Sequence, residues 1–389
     1  MDMHDILNVM VEKDASDVYL TVDLPPMYRI QGVTQPVGEA RFTNEQLEAL
    51  AAAVMRDTQQ QEFNTAMEMN LALFYPDLGR FRVNIFRQRG NVGFVIRQIK
   101  MEIVSIDALG LPPIIKDIAM SKRGLVLFVG GTGSGKSTSL AAMIDHRNTT
   151  STGHIVTIED PVEFVHRHKQ SVITQREVGF DTHSFQAALK NTLRQAPDVI
   201  LIGEIRDTDT MEAAITFAET GHLCLGTLHA NNANQAIERI LNFFPAERHA
   251  QIYLQLSMNL RAIISQRLIP SVDGKRVAAL EVLLDTPRVK DLIKKGEIDH
   301  LKEAMEQGVQ EGCQTFDYVL FNFFKDGKIS LDQALANSDS ANNLRLKIKL
   351  AGLSTDDDAG SDQEKGDAQK PASFQIRGAP TLGTPRRKL

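Results

Sequence analysis

One short segment, Gly130–Ser137, constrains the fold of this chain more than any other part of it. It reads Gly-Gly-Thr-Gly-Ser-Gly-Lys-Ser and fits the phosphate-binding pattern G-x-x-x-x-G-K-[ST]. Glycines let backbone N–H groups approach a triphosphate, the lysine reaches its β- and γ-phosphates, and the final serine holds Mg²⁺. The apolar run 125–129 indicates a buried strand, and 138–144 indicates a helix whose positive N-terminal end favours phosphate. This order of strand, loop and helix predicts a nucleotide-binding P-loop.

The residues predicted to bind the nucleotide form one continuous segment. They are Gly130, Gly131, Thr132, Gly133, Ser134, Gly135, Lys136, Ser137 and Thr138.

Charge and composition argue against several other classes of protein. The 389 residues carry a net charge of -6, so no strong basic field favours nucleic acid as a partner. Two cysteines, Cys224 and Cys313, are too few for a disulfide framework or a four-thiolate zinc site. No run approaches the roughly eighteen apolar residues of a membrane span, and acidic residues stand where a signal peptide would be basic. We therefore expect a cytoplasmic protein without direct membrane insertion.

Residues 1–100 mix helical and strand patterns, which is typical of an α+β domain. Apolar residues with helical spacing, from Met3 to Met10, predict an amphipathic first helix, and a second helix is predicted at 45–55. Strands are predicted at 18–22, 27–30, 71–75, 80–86 and 92–99, the last three in an antiparallel sheet.

Residues 101–123 are interpreted as a linker with a helix that leads into the next domain. From 124 to 285, apolar strand-like runs alternate with helical stretches, which predicts βαβ units and a mostly parallel sheet with helices on both faces. The predicted strands are 125–129, 155–158, 199–202 and 223–226.

The remainder of the chain divides into two parts. Residues 286–350 are predicted to be helical, beginning with the N-cap Thr286 and with Pro287 at the first helical position. Residues 351–389 are rich in Asp, Gly, Ser, Gln and Pro and lack apolar periodicity, so we expect a disordered tail.

Hydrolysis also requires acidic groups near the phosphates. Glu204 follows the run 199–202, at the strand end where ligands of open α/β sheets bind, and is the candidate to organise Mg²⁺ through its water shell. The cluster Glu159–Glu163 follows another strand, and a carboxylate there can align or deprotonate the attacking water. The residues alone leave Glu159 and Glu163 both open. The alternative for Glu204 is an ordinary solvent-facing acid after a strand, and without the P-loop a solvated acidic loop would be the better interpretation of 159–163.

Histidines and arginines supply further candidates. His222 and His229 flank a strand pattern, and their offset of seven places them on opposite faces, so they are not expected to share a metal. A structural role is the default for each, and an imidazole bound to the γ-phosphate is the functional alternative. Arginines on exposed strands are usually solvated, although a guanidinium can stabilise transition-state charge. The arginines at the end of the first region are Arg80, Arg82, Arg87, Arg89 and Arg97.

Four motifs in order give the chain its family resemblance. They are a Walker A motif at 130–137, an aspartate box at 157–164, a Walker B motif from 193–194 through 203–207 and a histidine box from 220–222 through 227–229. In these motifs, and along residues 15 to 350, the chain resembles the type IV pilus retraction ATPases, the PilT/PilU group. The resemblance implies an ATP- and Mg²⁺-dependent ring hexamer in which a smaller PAS-like domain precedes a RecA-like P-loop ATPase domain.

The same resemblance implies roles for individual residues. Glu163 corresponds to the catalytic carboxylate, Glu204 to the Walker B acid and His229 to the residue that senses the γ-phosphate. Arg82 and Arg97 match the arginines of the first domain that close on the nucleotide.

Three departures from the family pattern favour the PilU branch. A motif that reads Ala-Ile-Arg-Asn-Leu-Ile in PilT-type proteins is Arg-Val-Lys-Asp-Leu-Ile at 288–293, and Ala196 replaces the usual acid before Pro197. A tail also follows residue 350. The resemblance thus implies an accessory partner of PilT.

We expect a hexameric motor that hydrolyses ATP to power pilus retraction in twitching motility. It would act at the cytoplasmic face of the inner membrane, at the pilus base, with a PilT-like sister ATPase and an inner-membrane platform protein. One alternative is a nucleotide-binding regulatory or scaffold subunit that modulates PilT without its own turnover. Another is an extension or secretion ATPase, but the usual tetracysteine zinc insertion does not fit two cysteines about ninety positions apart.

Overall fold

The computed structural model of this protein describes residues 1–99 and 102–353. It contains a six-stranded sheet in the N-terminal region and a seven-stranded sheet that begins at residue 124. Three separate hydrophobic clusters lie in the N-terminal region, around the second sheet and in the C-terminal helices. Within the described ranges, none of the helices combines the length and the apolar character needed to cross a membrane.

The N-terminal sheet has the order β3-β2-β1-β6-β5-β4, and every neighbouring pair is antiparallel. Its helices pack against β1, β6 and β4. In chain order the elements are α1 Met3–Glu12, β1 Ala15–Leu20, β2 Met27–Ile30, β3 Val33–Pro36, α2 Asn44–Val54, α3 Asp57–Ala66, β4 Glu68–Tyr75, β5 Gly79–Gln88 and β6 Asn91–Ile99.

The predicted antiparallel α+β region is confirmed, and α1 buries its whole apolar face from Met3 to Met10. Two elements were missed. All four residues of β3 are exposed at the sheet edge, and α3 buries only Phe63, so neither has a clear hydrophobic period.

The second sheet has the order β13-β12-β7-β11-β10-β8-β9. All neighbouring strands are parallel except the edge pair β12 and β13. Its elements are α4 Ile114–Ala119, β7 Gly124–Val129, α5 Lys136–Thr150, β8 Gly153–Glu159, β9 Ser171–Glu177, α6 Phe185–Thr192, β10 Val199–Ile202, α7 Thr208–Glu219, β11 Leu223–Leu228, α8 Ala233–Leu241, α9 His249–Asn259, β12 Leu260–Pro270 and β13 Arg276–Leu284.

The predicted mostly parallel sheet is confirmed. Every residue of β7, β10 and β11 is buried, as expected for strands covered on both faces. The strands β9, β12 and β13 were not predicted. Polar residues interrupt their apolar patterns, and several of these, such as Gln266 and Glu281, are buried because they hydrogen-bond to neighbouring elements.

The C-terminal part is helical, as predicted. The hydroxyl of Thr286 accepts a hydrogen bond from the Val289 N–H at 3.3 Å, and Pro287 occupies the first helical position. Of the tail predicted to be disordered, 351–389, the structure describes a turn at 351–352 and Leu353, which packs partly buried against the C-terminal cluster. Residues 354–389 lie outside the described residues. The helices are α10 Pro287–Lys295, α11 Leu301–Gln307, α12 Phe316–Lys325, α13 Leu331–Ala336 and α14 Ala341–Leu350.

Glu281 is a buried carboxyl in β13 that joins two other elements. It accepts hydrogen bonds from the Ala233 N–H at 2.8 Å and the Ser265 hydroxyl at 2.9 Å. Burial raises its pKa from 4.5 to about 7, although these two hydrogen bonds oppose the shift. Because the folded state holds this proton more tightly than the unfolded chain, the carboxyl's contribution to stability is full below pH 4.5 and is lost as pH rises through about 7.

Replacing Glu281 by Gln keeps an acceptor oxygen and removes the ionisation. Relative to wild type, the free energy of unfolding of Glu281→Gln should therefore rise by up to roughly 3 kcal/mol between pH 5 and pH 8. Urea denaturation at both pH values measures the change, with the exposed Glu247→Gln as the control. Variant and wild-type stabilities that run parallel across this pH range would contradict the prediction.

Candidate active site

The P-loop joins the carboxyl end of β7 to α5 and packs directly on β12. Gly135 has a φ of +86°, in the left-handed region, and a Cβ there would lie 2.7 Å from Nε2 of Gln266. A Cβ on Gly130 would lie 2.7 Å from the backbone oxygen of Gln266. Both positions therefore require glycine, because a side chain would push the loop away from β12.

A cleft of about 610 Å³ opens above the P-loop. It brings together most of the residues predicted from the sequence, including Thr132–Thr138, Glu163, Glu204 and His229. Gly130 and Gly131 line an adjoining depression that also contains His229. Segments from four strand ends thus meet at one edge of the parallel sheet, where ligands of such sheets bind.

Lys136 is the first residue of α5, and its side chain turns back over the loop. The ammonium donates hydrogen bonds to the carbonyl oxygens of Gly130 at 2.8 Å and Gly131 at 2.9 Å. Partial burial lowers its pKa, while the charges of Glu204 and Glu163 oppose that shift. The Lys136 ammonium is therefore close enough to both predicted acids, Glu204 and Glu163, to interact with their charges.

The backbone fixes Glu204 between two neighbouring strands. The N–H of Gly203 donates to the Ile158 oxygen at the end of β8, at 2.7 Å. The N–H of Ile205 donates to the Thr227 oxygen near the end of β11, at 2.8 Å. Glu204 is thereby held at the carboxyl edge of the sheet, facing the P-loop cleft.

The carboxylate of Glu204 has cationic or potentially cationic partners on both oxygens. Arg206 Nη2 lies 2.6 Å from Oε2, and His229 Nε2 lies 3.2 Å from Oε1. Partial burial by itself would raise the pKa of Glu204, but the hydrogen bond from Arg206 and the charges of Arg206, His229 and Lys136 lower it overall. Glu204 is therefore held in its ionised form.

The two acids that the sequence left open have different surroundings. Glu159 is partly buried and accepts a hydrogen bond from the Thr157 hydroxyl at 2.6 Å; burial raises its pKa to about 7. Glu163 is exposed, and both acids line the cleft. The side chain of Glu159 is already engaged with the protein, whereas Glu163 presents its carboxylate to solvent beside the P-loop.

Of the predicted histidines and arginines, His229 lines the cleft, whereas His222, Arg82 and Arg97 lie elsewhere. His222 precedes β11 and contacts Thr220 Oγ1 at 3.0 Å, so it lies at the opposite end of that strand from His229. Arg97 Nε binds Asp17 Oδ1 at 2.8 Å, and Arg82 is the cross-strand neighbour of Arg97 in β5. Within the described part of this single chain, neither of these arginines lines the P-loop cleft.

The residues of the cleft fit a magnesium-bound triphosphate. The Ser137 hydroxyl and the Glu204 carboxylate line the same cavity, and hard oxygen donors are the ligands that Mg²⁺ prefers. The buried Oγ of Ser134 has no hydrogen-bond partner within residues 1–99 and 102–353, so a donor or acceptor remains available inside the loop. The glycine loop and the helix N-terminus supply backbone N–H groups for anionic oxygens.

Sequence reasoning missed three groups at this site. Arg206 lies 4.0 Å from Asp160 as well as beside Glu204, a contact between two strand-end loops that no local pattern indicates. The Gln266 side chain supports α5, the helix after the P-loop, because its Oε1 accepts a hydrogen bond from the Ser139 hydroxyl at 2.8 Å. Arg276 reaches the cleft from β13, a strand that was not predicted.

Comparison with known proteins places the chain in a family. The family described as "Type II/IV secretion system protein" matches residues 2–319. The type IV pilus ATPase PilU of Pseudomonas aeruginosa is 52% identical over 358 residues, which cover 92% of this chain and 94% of PilU. The type IV pilus retraction ATPase PilT of the same organism is 41% identical over 334 residues, covering 86% of this chain and 97% of PilT.

A solved structure agrees with these sequence matches. The crystal structure of the pilus retraction motor PilT with bound ADP has a TM-score of 0.84 and 39% sequence identity to this chain. The match covers 89% of this chain and 99% of that one. The resemblance predicted from the four ordered motifs is confirmed: this chain belongs to the type II/IV secretion system protein family, within its PilT-like pilus ATPases.

Proposed function

We propose that this protein hydrolyses ATP with Mg²⁺ to power type IV pilus retraction. The observation that carries the ATPase part of the proposal is the convergence of Lys136, Ser137, Glu163, Glu204 and His229 on one cleft. The similarity to PilU and PilT supports the link to pilus retraction. A cation, a hydroxyl, two acids and an imidazole around a P-loop are the groups that phosphoryl transfer to water requires.

In this proposal each side chain has one task. Lys136 and the P-loop N–H groups bind the phosphates, and Ser137 and Glu204, the latter through water, hold Mg²⁺. When bound, Mg²⁺ neutralises charge that develops on the phosphate oxygens. Glu163 orients the attacking water and accepts its proton, and His229 hydrogen-bonds the γ-phosphate while contacting Glu204 at 3.2 Å.

The assembly is also part of the proposal. Residues 1–100 act as a PAS-like domain, 101–123 as a linker and 124–350 as the RecA-like ATPase domain with its helical end, in a homo-hexamer. Arg82 and Arg97 reach the nucleotide when the first domain closes on it. The hexamer works with a PilT-like sister ATPase and an inner-membrane platform protein, at the cytoplasmic face of the inner membrane.

Two measurements test this function together. Purified protein should hydrolyse ATP in a Mg²⁺-dependent manner, and cells that lack the gene should carry surplus surface pili and lose twitching motility. Bald cells would instead indicate pilus assembly, and protein without turnover would remove the enzymatic part of the proposal.

A second candidate is a regulatory subunit that binds nucleotide and modulates PilT without its own turnover. The segment 288–293, which lies in α10 and departs from the motif of PilT-type proteins, favours it. Twitching against mechanical load by a strain with chromosomal Glu163→Gln, which should keep nucleotide binding and lose turnover, discriminates the two candidates. Unchanged motility supports the regulatory subunit, and lost motility supports the motor.

A further inference from the structure

The loop that carries Glu163 is held by side chains from β9. The Glu177 carboxylate accepts a hydrogen bond from the N–H of Val162 at 3.2 Å, immediately before Glu163. After Glu163, the amide of Gln175 donates to the Phe164 oxygen at 2.9 Å and accepts from the His166 N–H at 2.8 Å. The backbone on both sides of Glu163 is therefore positioned from one neighbouring strand.

Glu177 also contacts the N-terminal region. Its Oε2, the atom that binds Val162, lies 3.4 Å from Nη2 of Arg80 in β5, a residue 97 positions earlier in the chain. The Glu177 side chain is only 4% exposed and that of Arg80 24% exposed, so the ion pair is largely removed from water. One carboxylate oxygen thus serves both the N-terminal sheet and the Glu163 loop.

The backbone of Glu177 is fixed independently of Arg80. Its N–H donates to Asp181 Oδ2 at 2.9 Å, and its oxygen accepts from the Asp181 N–H at 2.8 Å. In register, Glu177 pairs with Glu159 at the ends of β9 and β8. Movement of Arg80 would therefore displace the Glu177 carboxylate and the loop bound to it. The backbone of β9 would stay in place.

We propose that the Arg80–Glu177 pair is a positioning contact that couples the placement of the N-terminal region to the placement of Glu163. The inference rests on the proposed ATPase function and deepens it. Arg80 and Glu177 do not touch the reacting atoms in this scheme; they act through the Val162 N–H.

The physical reason is the cost of an unpaired buried charge. Burial raises the pKa of Glu177, while the Val162 hydrogen bond and the charges of Arg80 and Arg82 lower it. If Arg80 withdraws, the carboxylate either takes up a proton or turns towards water. Each response alters the acceptor that holds Val162, and a displacement of about 1 Å at a catalytic group can cost 10²-fold in rate.

The experiment compares two arginine variants in the full chain. Arg80→Ala should lower kcat for ATP roughly 10-fold or more and leave the Kd for a non-hydrolysable ATP analogue within about twofold. The matched control is Arg87→Ala, which removes an ion pair of the same kind, Arg87 Nη1 to Glu48 Oε1 at 2.7 Å, that stays inside the N-terminal region. Arg87→Ala should leave kcat close to wild type.

A double-mutant cycle tests the route of coupling. Glu177→Gln keeps an acceptor for Val162 and removes the charge, so combined with Arg80→Ala it should lower kcat no further than Arg80→Ala alone. Arg80→Lys retains the charge and should therefore keep more turnover than Arg80→Ala. It replaces Arg80→Ala in the comparison if Arg80→Ala does not fold.

The outcomes separate the two levels of the proposal. Wild-type protein that lacks turnover overturns the ATPase function itself. Active wild-type protein with Arg80→Ala indistinguishable from Arg87→Ala, or with additive losses in the double variant, overturns only the coupling.

Discussion

Glu163→Gln should retain nucleotide binding and lose turnover by roughly 10²-fold or more. The amide has the size of the carboxylate but cannot accept the proton of the attacking water. Glu163 is exposed in the cleft beside the P-loop, so the substitution disturbs no buried contact. Single-turnover ATP hydrolysis, with binding of a fluorescent ATP analogue measured in parallel, separates the loss of chemistry from any loss of affinity.

Glu159→Gln is the informative comparison for that experiment. Glu159 is engaged with Thr157 at 2.6 Å and with Gln175 at 3.4 Å, so we assign it to support of the loop. Its replacement should reduce turnover less than Glu163→Gln does. A variant series in which Glu159→Gln abolishes turnover and Glu163→Gln does not would transfer the role of general base to Glu159.

Lys136→Ala should weaken ATP binding roughly 10²-fold and remove measurable turnover at moderate ATP concentration. The ammonium is the one charged group of the P-loop, and a hydrogen bond to a charged group contributes about 1.5–3 kcal/mol. The substitution also takes the donor away from the Gly130 and Gly131 oxygens, which lie 2.8 and 2.9 Å from Nζ. Calorimetric titration with a non-hydrolysable analogue measures the affinity.

The exposed Lys190→Ala, in α6 and outside the cleft, is the matched control for charge and residue type. It should bind and hydrolyse ATP like the wild type. Equal affinities of the wild type and Lys136→Ala would mean that the triphosphate does not occupy this loop, and the assignment of the cleft would be wrong.

The predictability of the fold differs between its strands. The apolar run 199–202 was predicted with the bounds that β10 has, because a short strand buried on both faces shows its length directly in the sequence. The strand β9, by contrast, reads Ser-Val-Ile-Thr-Gln-Arg-Glu, and its polar residues conceal it. Gln175 and Glu177 interrupt the apolar pattern because they bind the loop around Glu163.

In the candidate site, too, some features could be predicted from the sequence and others could not. Strand order and parallel direction bring the ends of β7, β8, β10 and β11 to one edge, so acids that follow apolar runs could be expected near the P-loop. The contact of Arg206 with both Glu204 and Asp160 could not be expected, because Asp160 belongs to another strand-end loop. The pairing of Arg97 with Asp17 likewise depends on the register between β1 and β6.

The amino-acid sequence by itself determined the P-loop, the parallel αβ core, the acids at the strand ends and the family. These features depend on local spacing, such as glycines at fixed offsets, apolar runs and helix caps. Only the tertiary structure showed that Glu159 is engaged with Thr157 while Glu163 is exposed, placed His222 at the far end of β11 from the cleft and joined Arg80 to Glu177. Contacts between side chains of distant segments depend on sheet order and register, which no local pattern encodes.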